Sequence, residues 1–207
     1  MKYNGPKCRL CRREGLKLFL KGARCHTQKC AVVRKNYAPG IHGKVFSKLS
    51  EFGKQLREKQ KAKRIYGLTE RHLKNYYNKV TRIKGDKSQN LLKVLSLRLD
   101  NVVYLAGFAP SRSFARQLIS HGFFTFNSKR ANVASISVKI GDKVELKDKK
   151  KAAKVLQEMK NPTTNYRPPA WLKVDPKNTS CEVVDLPQEA DLEVIINPAL
   201  IIEAYSR

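Results

Sequence analysis

The chain has 207 residues, with 43 Lys and Arg against 17 Asp and Glu, which gives a formal net charge of +26 at neutral pH and a pI of about 10.1. This excess costs self-repulsion unless a polyanion neutralises it, and the pI exceeds the value of roughly 9 that is typical of nucleic-acid-binding domains. Hydrophobic residues make up 41% of the chain, enough for a core, and no apolar run approaches the roughly 18 residues of a membrane span. The composition excludes a secreted disulfide scaffold, a membrane protein and an acidic tail protein, and it predicts a cytoplasmic protein that binds nucleic acid.

The positive charge is unevenly distributed. Residues 1–90 carry 25 Lys and Arg against 5 Asp and Glu, residues 91–147 carry 9 against 3, and residues 148–207 carry 9 against 9. A run of cations is often no more than a solvated face, but solubility needs only a handful of charges. The net charge of +20 in the first segment therefore indicates a polyanion-binding surface, whereas the last segment is expected to be structural or to face a protein.

Four of the five cysteines form two close pairs near the amino terminus, Cys8-x2-Cys11 and Cys25-x4-Cys30. Two close pairs with a short spacer are typical of metal ligands, and four thiolates without an open position suit a structural zinc ion. An iron–sulfur cluster also takes four thiolates, although its usual spacings differ, and four unrelated reduced thiols are a further alternative. We predict zinc here, and we expect the ion to supply folding energy to a segment that has few apolar residues.

Cations lie between and after the cysteine pairs. They continue into a loop in which Pro39, Gly40 and Gly43 are turn formers. Glycines let a backbone approach a sugar-phosphate chain closely, so the loop suits phosphate binding, with a plain linker as the alternative. The predicted phosphate-binding residues of this segment are Arg12, Arg13, Arg34, Lys35, His42 and Lys44.

Residues 46–90 have the pattern of a helical hairpin. Ser50 and Glu51 indicate a helix start, Gly67 its end, and Thr69 with Glu70 the start of a second helix. Cations recur at helical spacing on one side of the first helix, as a stripe separate from its apolar face. We predict that this stripe and the second helix contact phosphates through Lys54, Arg57, Lys61, Arg64 and Arg71.

Residues 91–147 indicate a compact α+β module. A helical period of apolar residues over 91–106 predicts one helix that Gly107 closes, and Ser111 is expected to cap a second helix over 112–120. Strand-like segments follow at 123–126 and 143–147. Residues 112 and 116 are four apart and are expected on one outer face of the second helix. There they would bracket a phosphate backbone with cations of the following turn, the full set being Arg112, Arg116, Lys129 and Arg130.

The same module carries a recognisable motif. The segment Arg98-Leu-Asp-Asn-Val-Val-Tyr104 is followed by Ser111-Arg112, by Ala115-Arg116-Gln117-Leu118-Ile119 and by His121-Gly122, and together they resemble the S4 RNA-binding domain. This domain occurs in ribosomal proteins, RNA-modifying enzymes and other RNA-binding proteins. The resemblance implies RNA contacts by three further residues, Arg98, Gln117 and His121.

The resemblance to the ribosomal protein S4 family extends over essentially the whole chain. It includes the segment around Cys8 and Cys11, the motif Pro39-Gly40-x-His42-Gly43, the helix start at Ser50 and the end Tyr205-Ser206-Arg207. The chain departs from the usual pattern where Ile41 replaces Gln, Ser128 replaces Gly, and Lys173 replaces an acid. The four cysteines resemble the zinc-bearing members of the family.

The resemblance implies an α+β fold with an amino-terminal zinc-binding segment, a mostly helical domain and an inserted small α+β domain of the S4 type. We predict a basic zinc-binding segment at 1–45, a helical rRNA-binding domain at 46–90 that about 180–207 completes, and the S4-type domain at 91–155. Residues 156–207 are predicted to form a loop and a carboxy-terminal segment that packs back on the helical domain. Within these ranges, 149–160 is expected to be a short helix, and Asn197 with Pro198 is expected to open a last helix.

The function implied by the resemblance is that of a structural constituent of the small ribosomal subunit, in the cytoplasm. It would bind 16S rRNA as a primary binder, nucleate assembly of the subunit body and contribute to translational accuracy. The implied neighbours are ribosomal proteins S3 and S5 and the mRNA where it enters the subunit. No catalytic constellation is found, so neither an enzyme nor a small-molecule substrate is expected. The alternatives are a non-ribosomal regulatory RNA-binding protein and an RNA-modifying enzyme with the same module.

Overall fold

The computed structural model describes residues 3–45, 48–147, 168–175, 179–188, 191 and 195–206. The chain divides into two compact units, Met1–Leu92 with Glu193–Arg207, and Lys93–Leu192. The helix predicted over 149–160 lies outside the described residues. Among those residues, no helix has the length and apolar character needed to cross a membrane.

The secondary structure alternates short helices and short strands. In chain order, the described residues form α1 (Lys7–Glu14), α2 (Ala31–Arg34), α3 (Glu51–Ile65), α4 (Glu70–Val80), α5 (Lys87–Ser96), α6 (Leu99–Leu105), α7 (Arg112–Ser120), β1 (Phe124–Phe126), β2 (Lys129–Ala131), β3 (Lys143–Leu146), β4 (Leu172–Asp175), β5 (Ser180–Val183) and α8 (Pro198–Ser206). Two 3₁₀ turns, Gly22–His26 and Ile41–Lys44, flank α2.

Side-chain caps fix the helix starts that the sequence predicts. Ser50 accepts a hydrogen bond from the Gly53 amide at 3.2 Å, and Ser111 accepts one from the Phe114 amide at 3.4 Å. Before α8, the Ala199 amide donates to Oδ1 of Asn197 at 3.1 Å. Each cap satisfies a backbone donor that has no partner inside its helix. The predicted starts of α3, α7 and α8 are confirmed.

In the first unit, α8 packs against α3 and α4. Ile201 of α8 and Ala62 of α3 are both fully buried, and Gln55 Nε2 donates to Oε2 of Glu203 at 3.0 Å. The carboxy-terminal helix therefore completes the helical unit through both apolar and polar contacts, and its contact with the helices of 46–90 agrees with the prediction for this end of the chain.

The predicted single helix over 91–106 is wrong, because the chain breaks between α5 and α6. At Arg98 the backbone is extended, with φ −73° and ψ 139°. The Leu99 amide donates to the Ile136 carbonyl at 2.9 Å, and the Val138 amide donates to the Leu97 carbonyl at 2.8 Å. The apolar period continues on both sides of the break, so periodicity alone does not reveal it. Pairing with residues 136–138 supplies the backbone hydrogen bonds that a continuous helix would have made.

The second unit contains a five-stranded antiparallel sheet with the order β2-β1-β3-β5-β4. The register pairs Phe124 with Leu146 and Val144 with Cys181. These side chains are buried, in one core with residues of α6 and α7, whereas Glu182, next in β5, is exposed. The alternation is that of a sheet with one face on the core and one towards solvent. The predicted α+β class is therefore confirmed.

The position of β4 and β5 corrects the domain prediction. Both strands lie within 156–207, which was expected to pack back on the helical domain, but β5 pairs with β3 and β4 pairs with β5. Leu172, Cys181 and Val183 are buried in the core of the second unit. Apolar side chains at alternate positions suit an added strand, which explains why this part of the segment extends the sheet. Of the described carboxy-terminal residues, 195–206 belong to the helical unit.

Candidate nucleic-acid interface

The four amino-terminal cysteines surround one small cavity. Cys8 and Cys11 lie on α1, Cys25 lies in the first 3₁₀ turn, and Cys30 precedes α2. All four are free thiols, and all but Cys8 are buried. Lys21 and Arg24 also line the cavity. Within the described ranges, no group of three or more His, Cys, Asp or Glu side chains is arranged so that it could hold a metal ion. The fold thus gathers the four thiols around one space, without arranging them as a ligand set.

The chemistry of the four thiols suits a soft metal ion. Burial raises the pKa of Cys11, and negative charge on Cys25, Cys8 and Cys30 would raise it further. Burial is also the largest cause of the raised pKa of Cys25. Mutual repulsion therefore opposes ionisation of the four thiols, and a metal ion bound by them would offset it because its ligands are thiolates.

A buried carboxylate joins α1 to α3. The side chain of Glu14 is 1% exposed, and its Oε1 accepts a hydrogen bond from Arg57 Nη1 at 3.4 Å and another from Arg64. Arg64 also donates to the Leu10 carbonyl at 3.5 Å. Burial raises the pKa of Glu14, while Arg64 and Arg57 act in the opposite direction. These two arginines, predicted to contact RNA, hold the amino-terminal segment on α3.

The basic stripe predicted on α3 does not face solvent as a whole. Lys61 is 7% exposed, donates to Glu58 and also donates to the Ile195 carbonyl at 3.3 Å. Lys54 is exposed and pairs with Glu51 at 2.6 Å. Of the four residues of the stripe only Lys54 is exposed, because α1 and the segment before α8 present oxygen acceptors to this side of α3, and the phosphate contacts of the stripe stay a prediction.

The glycine-containing loop after α2 is held against α1 by one arginine. Arg12 donates from Nε to the Tyr37 carbonyl at 3.0 Å and from Nη2 to the Ala38 carbonyl at 3.2 Å. Its Cζ lies 4.7 Å from the centre of the Tyr37 ring, and Nζ of Lys44 lies 5.6 Å from the same centre. The predicted phosphate-binding residues that are exposed in this unit, besides Lys54, are Arg13, Arg34, Lys35, His42, Lys44 and Arg71.

Asp100 of α6 binds two arginines of the second unit. The carboxylate is 2% exposed and accepts hydrogen bonds from Arg98 Nε at 3.0 Å, from Arg98 Nη2 at 2.8 Å and from Arg116 Nε at 2.9 Å. Arg98 is 4% exposed, whereas the side chain of Arg116 is 17% exposed. An aspartate that accepts from two guanidinium groups fixes the orientation of both.

Arg112 also makes its contacts within the second unit, with residues of α6. Its Nε donates to Oδ1 of Asn101 at 2.7 Å, and its Cζ lies 4.5 Å from the centre of the Tyr104 ring. Arg112 is buried. The prediction that Arg112 and Arg116 share an outer face is therefore wrong for Arg112, because α7 packs against α6 and directs this side chain towards it.

Four predicted RNA-binding residues of the second unit are exposed, near the end of α7 and on the β1–β2 hairpin. They are Gln117, His121, Lys129 and Arg130. The hairpin turn has left-handed conformations at Asn127 (φ 47°) and Ser128 (φ 66°). Such a two-residue turn matches the twist of the strands and favours glycine at its second position. Ser128 thus takes the conformation of the residue it replaces, and Asn127 Nδ2 holds the turn by donating to Oδ1 of Asp142 at 2.7 Å.

Sequence reasoning missed the acidic and aromatic partners of these cations. Glu14, Asp100 and Tyr37 organise the basic segments, and none was predicted as a site residue. For the two acids the signal in the sequence was scarcity, since residues 1–90, which include Glu14, contain 5 acids against 25 Lys and Arg, and residues 91–147, which include Asp100, contain 3 against 9. An acid that is rare in a basic segment is a candidate for a buried partner, because an arginine without one is costly to bury.

Known family models and related proteins match both parts of the chain. A family model described as the ribosomal protein S4/S9 N-terminal domain matches residues 2–96, and one described as the S4 domain matches residues 97–144. The chain is similar to the small ribosomal subunit protein uS4 of Natranaerobius thermophilus, with 51% identity over 207 residues, and to those of Heliobacterium modesticaldum and Nitratidesulfovibrio vulgaris, each with 48% identity over 206 residues. Each alignment covers 100% of this chain and 99% of the relative.

Proposed function

The chain belongs to the uS4 family of small ribosomal subunit proteins, and from this premise we propose that it is a structural component of the small ribosomal subunit that binds 16S rRNA directly. The observation that carries the proposal is the similarity over the full length, with both domains of the family in tandem. The prediction that the chain is not an enzyme is confirmed by this membership, because the family is one of ribosomal proteins. The RNA-modifying alternative has no support among these relatives.

The distribution of exposed cations supports direct RNA binding. In the helical unit, Arg34, Lys35 and Lys44 are exposed on and after α2, and Arg71 is exposed on α4. In the second unit, Lys129 and Arg130 are exposed on one hairpin. Folded RNA is bound mostly through its shape and its phosphates, which suits cations held on rigid elements. The paired arginines of α3, α6 and α7 serve chiefly to hold these elements, and any RNA contact they make is a prediction.

We further propose the finer roles that the resemblance implies. The chain would act as a primary binder of 16S rRNA, nucleate assembly of the subunit body, contribute to translational accuracy, and contact ribosomal proteins S3 and S5 and the mRNA where it enters the subunit. The lack of net charge in residues 148–207 supports protein neighbours for this part of the chain. A segment without net charge gains little electrostatic attraction from RNA phosphates. It also meets little electrostatic repulsion when it contacts another protein.

For the amino-terminal segment we propose a structural zinc ion bound by Cys8, Cys11, Cys25 and Cys30. The support is their paired spacing and their position around one cavity between α1 and α2. The thiols would have to converge further to become ligands. Zinc would cross-link α1, the first 3₁₀ turn and the start of α2, and so stabilise the segment that carries Arg12 and the loop it holds. An iron–sulfur cluster is the alternative occupant.

Metal content tests this site. We expect purified full-length chain to contain about one zinc per molecule. Changing Cys8 and Cys25 to serine should abolish zinc binding, whereas changing the isolated, buried Cys181 to serine should leave it unchanged. Visible absorbance with bound iron would assign the cysteines to a cluster, and metal-free protein with native stability would contradict both metal assignments.

Co-sedimentation with ribosomal particles tests the proposed function. The tagged chain, expressed in a bacterial cell, should sediment with small subunits. Changing Arg34 and Lys35 to glutamate should shift it towards the free fraction, because both residues are exposed in the basic segment. A matched variant with Lys143 and Lys173 changed to glutamate, on the sheet face that also carries Glu145 and Glu182, should remain bound. A chain absent from small subunits would contradict the proposal.

A further inference from the structure

The end of α7 contains a glycine with two distinct structural properties. Gly122 has φ 73°, its amide donates to the Ile119 carbonyl at 2.8 Å, and the Phe123 amide donates to the Leu118 carbonyl at 3.2 Å. This is the hydrogen-bonded helix end that favours glycine for its left-handed backbone. Backbone conformation alone would account for the glycine, but a second constraint comes from what lies beside it.

The guanidinium of Arg130 fills the space that a side chain at position 122 would occupy. A Cβ atom on Gly122 would lie 2.8 Å from Nη2 and 3.0 Å from Cζ of Arg130, and it would also collide with Nε. By contrast, a Cβ on Gly15 (φ 69°) or on Gly141 (φ 83°) would meet nothing within 4 Å. The crowding at position 122 is therefore not a general consequence of the left-handed conformation.

The β1–β2 hairpin brings Arg130 to this helix end. Arg130 pairs with Thr125, and β1 follows directly from the end of α7. The carbonyl end of a helix carries partial negative charge, which favours a cation there. Gln117 and His121 lie one helical turn apart at the same end, and both are exposed, as is Arg130. Arg130 thus lies at the helix end whose last turn carries two further predicted RNA-binding residues, Gln117 and His121.

We propose that Gly122 is a positioning residue for RNA binding: by lacking a side chain, it provides the seat in which the Arg130 guanidinium is held for contact with an RNA phosphate. This inference rests on the proposed function and adds to it a residue that touches no RNA itself. A planar guanidinium held in one orientation can donate two parallel hydrogen bonds to a phosphate, and less entropy is lost when it binds. A methyl group at position 122 would push the Arg130 guanidinium out of this seat and leave the backbone of α7 in place.

The test compares Gly122→Ala with Gly141→Ala in the full-length chain. Both variants place alanine at a positive φ, but only the first displaces a side chain. Affinity for a fragment of the 16S rRNA 5′ domain is measured by filter binding, and thermal melting checks folding. We expect Arg130→Ala to weaken binding roughly tenfold, the order expected for hydrogen bonds to a charged group. We expect Gly122→Ala to weaken it by about three- to fivefold, and Gly141→Ala to change it by less than about twofold.

Combining the substitutions tests whether Gly122 acts through Arg130. In an Arg130→Ala background, Gly122→Ala should cause no further loss of affinity. Additive losses, or equal affinities of Gly122→Ala and Gly141→Ala, would overturn the inference. Failure of the wild-type chain to bind the fragment would overturn the proposed function instead.

A second variant, Arg130→Lys, tests the same inference if Gly122→Ala does not fold. Arg130→Lys keeps the charge and loses the planar group that occupies the seat, so we expect binding to weaken several-fold. Lys143→Arg, at an exposed residue of β3 outside the predicted RNA-binding set, is the control and should bind like wild type. Wild-type affinity of Arg130→Lys would overturn the inference.

Discussion

Arg116 donates from Nε to Oδ2 of Asp100 at 2.9 Å, so an arginine expected to be committed to RNA is held by a carboxylate of its own domain. The same aspartate binds Arg98, and its neighbour Asn101 binds Arg112. Arg112 and Arg116, which the sequence assigns to a phosphate backbone, are thus also the polar connection between α6 and α7. Their orientation is fixed before any RNA is bound, which lowers the entropy lost on binding.

Removing the charge of Asp100 should destabilise the second unit. We expect Asp100→Asn to lower the free energy of unfolding by about 3 kcal/mol or more, because Arg98 would remain buried without its counter-charge. Urea denaturation measures the change. Glu145→Gln, which breaks the exposed pair with Lys143, should leave the free energy of unfolding nearly unchanged, because solvent screens this pair. An Asp100→Asn variant as stable as Glu145→Gln would show that the carboxylate does not stabilise the arginines.

The attachment of the 37–44 loop should depend on the guanidinium of Arg12. Arg12→Lys keeps the charge but cannot donate to the Tyr37 and Ala38 carbonyls in parallel, so we expect local opening of the loop to become easier by about 1.5 kcal/mol. Amide hydrogen exchange at Gly43 and Val45 should then be roughly ten times faster. The control is Arg13→Lys, since Arg13 is exposed on α1. Equal exchange rates in the two variants would contradict the role of Arg12.

Glu70 links three helices and should make stability depend on pH in acid. Its carboxylate accepts from Lys63 Nζ at 2.8 Å and from the Tyr205 hydroxyl at 2.7 Å, and it pairs with Lys59 at 3.0 Å. Burial alone would raise the pKa of Glu70, but the hydrogen bonds from Lys63, Tyr205 and Lys59 lower it from 4.5 to about 2. The folded-state pKa is depressed, so the stabilisation is present above the unfolded-state pKa and is lost as pH falls from about 4.5 to about 2.

The variant Glu70→Gln isolates this contribution. Between about pH 5 and about pH 2, the urea midpoint of the wild type should fall more steeply than that of Glu70→Gln. The effect should be modest, because the Glu70 side chain is 45% exposed and solvent screens its charge. Glu51→Gln, which removes an exposed partner of Lys54, should leave the wild-type slope unchanged. Parallel slopes for wild type and Glu70→Gln would contradict the linkage.

Local signals predicted much of the secondary structure. Ser50, Thr69 and Ser111 each cap the helix that the sequence indicates, and the predicted strands near 124–126 and 143–146 are present. These features depend on side chains that act on their own neighbouring backbone, so they are visible in a single sequence. The break before Leu99 was missed because it depends on pairing with residues 136–138, which are distant in sequence.

The surface assignments were harder to predict for a related reason. Helical spacing indicates which residues share a face of α3 or α7, but not which element covers that face. Glu14 covers part of the cationic side of α3, and α6 covers Arg112. The exposure of a cation therefore depends on tertiary packing, and a basic stripe contains both residues that bind the protein and residues that remain available to RNA.

The salt dependence of rRNA binding tests the central claim most directly. Each phosphate that a cation neutralises contributes a little under one unit to the slope of log affinity against log salt concentration. With exposed cations on both units, the full-length chain and a fragment of the 16S rRNA 5′ domain should give a slope of about −4 or steeper. Changing Arg34 and Lys35 to alanine should reduce the magnitude of the slope by about one to two units. A flat salt response would contradict the account.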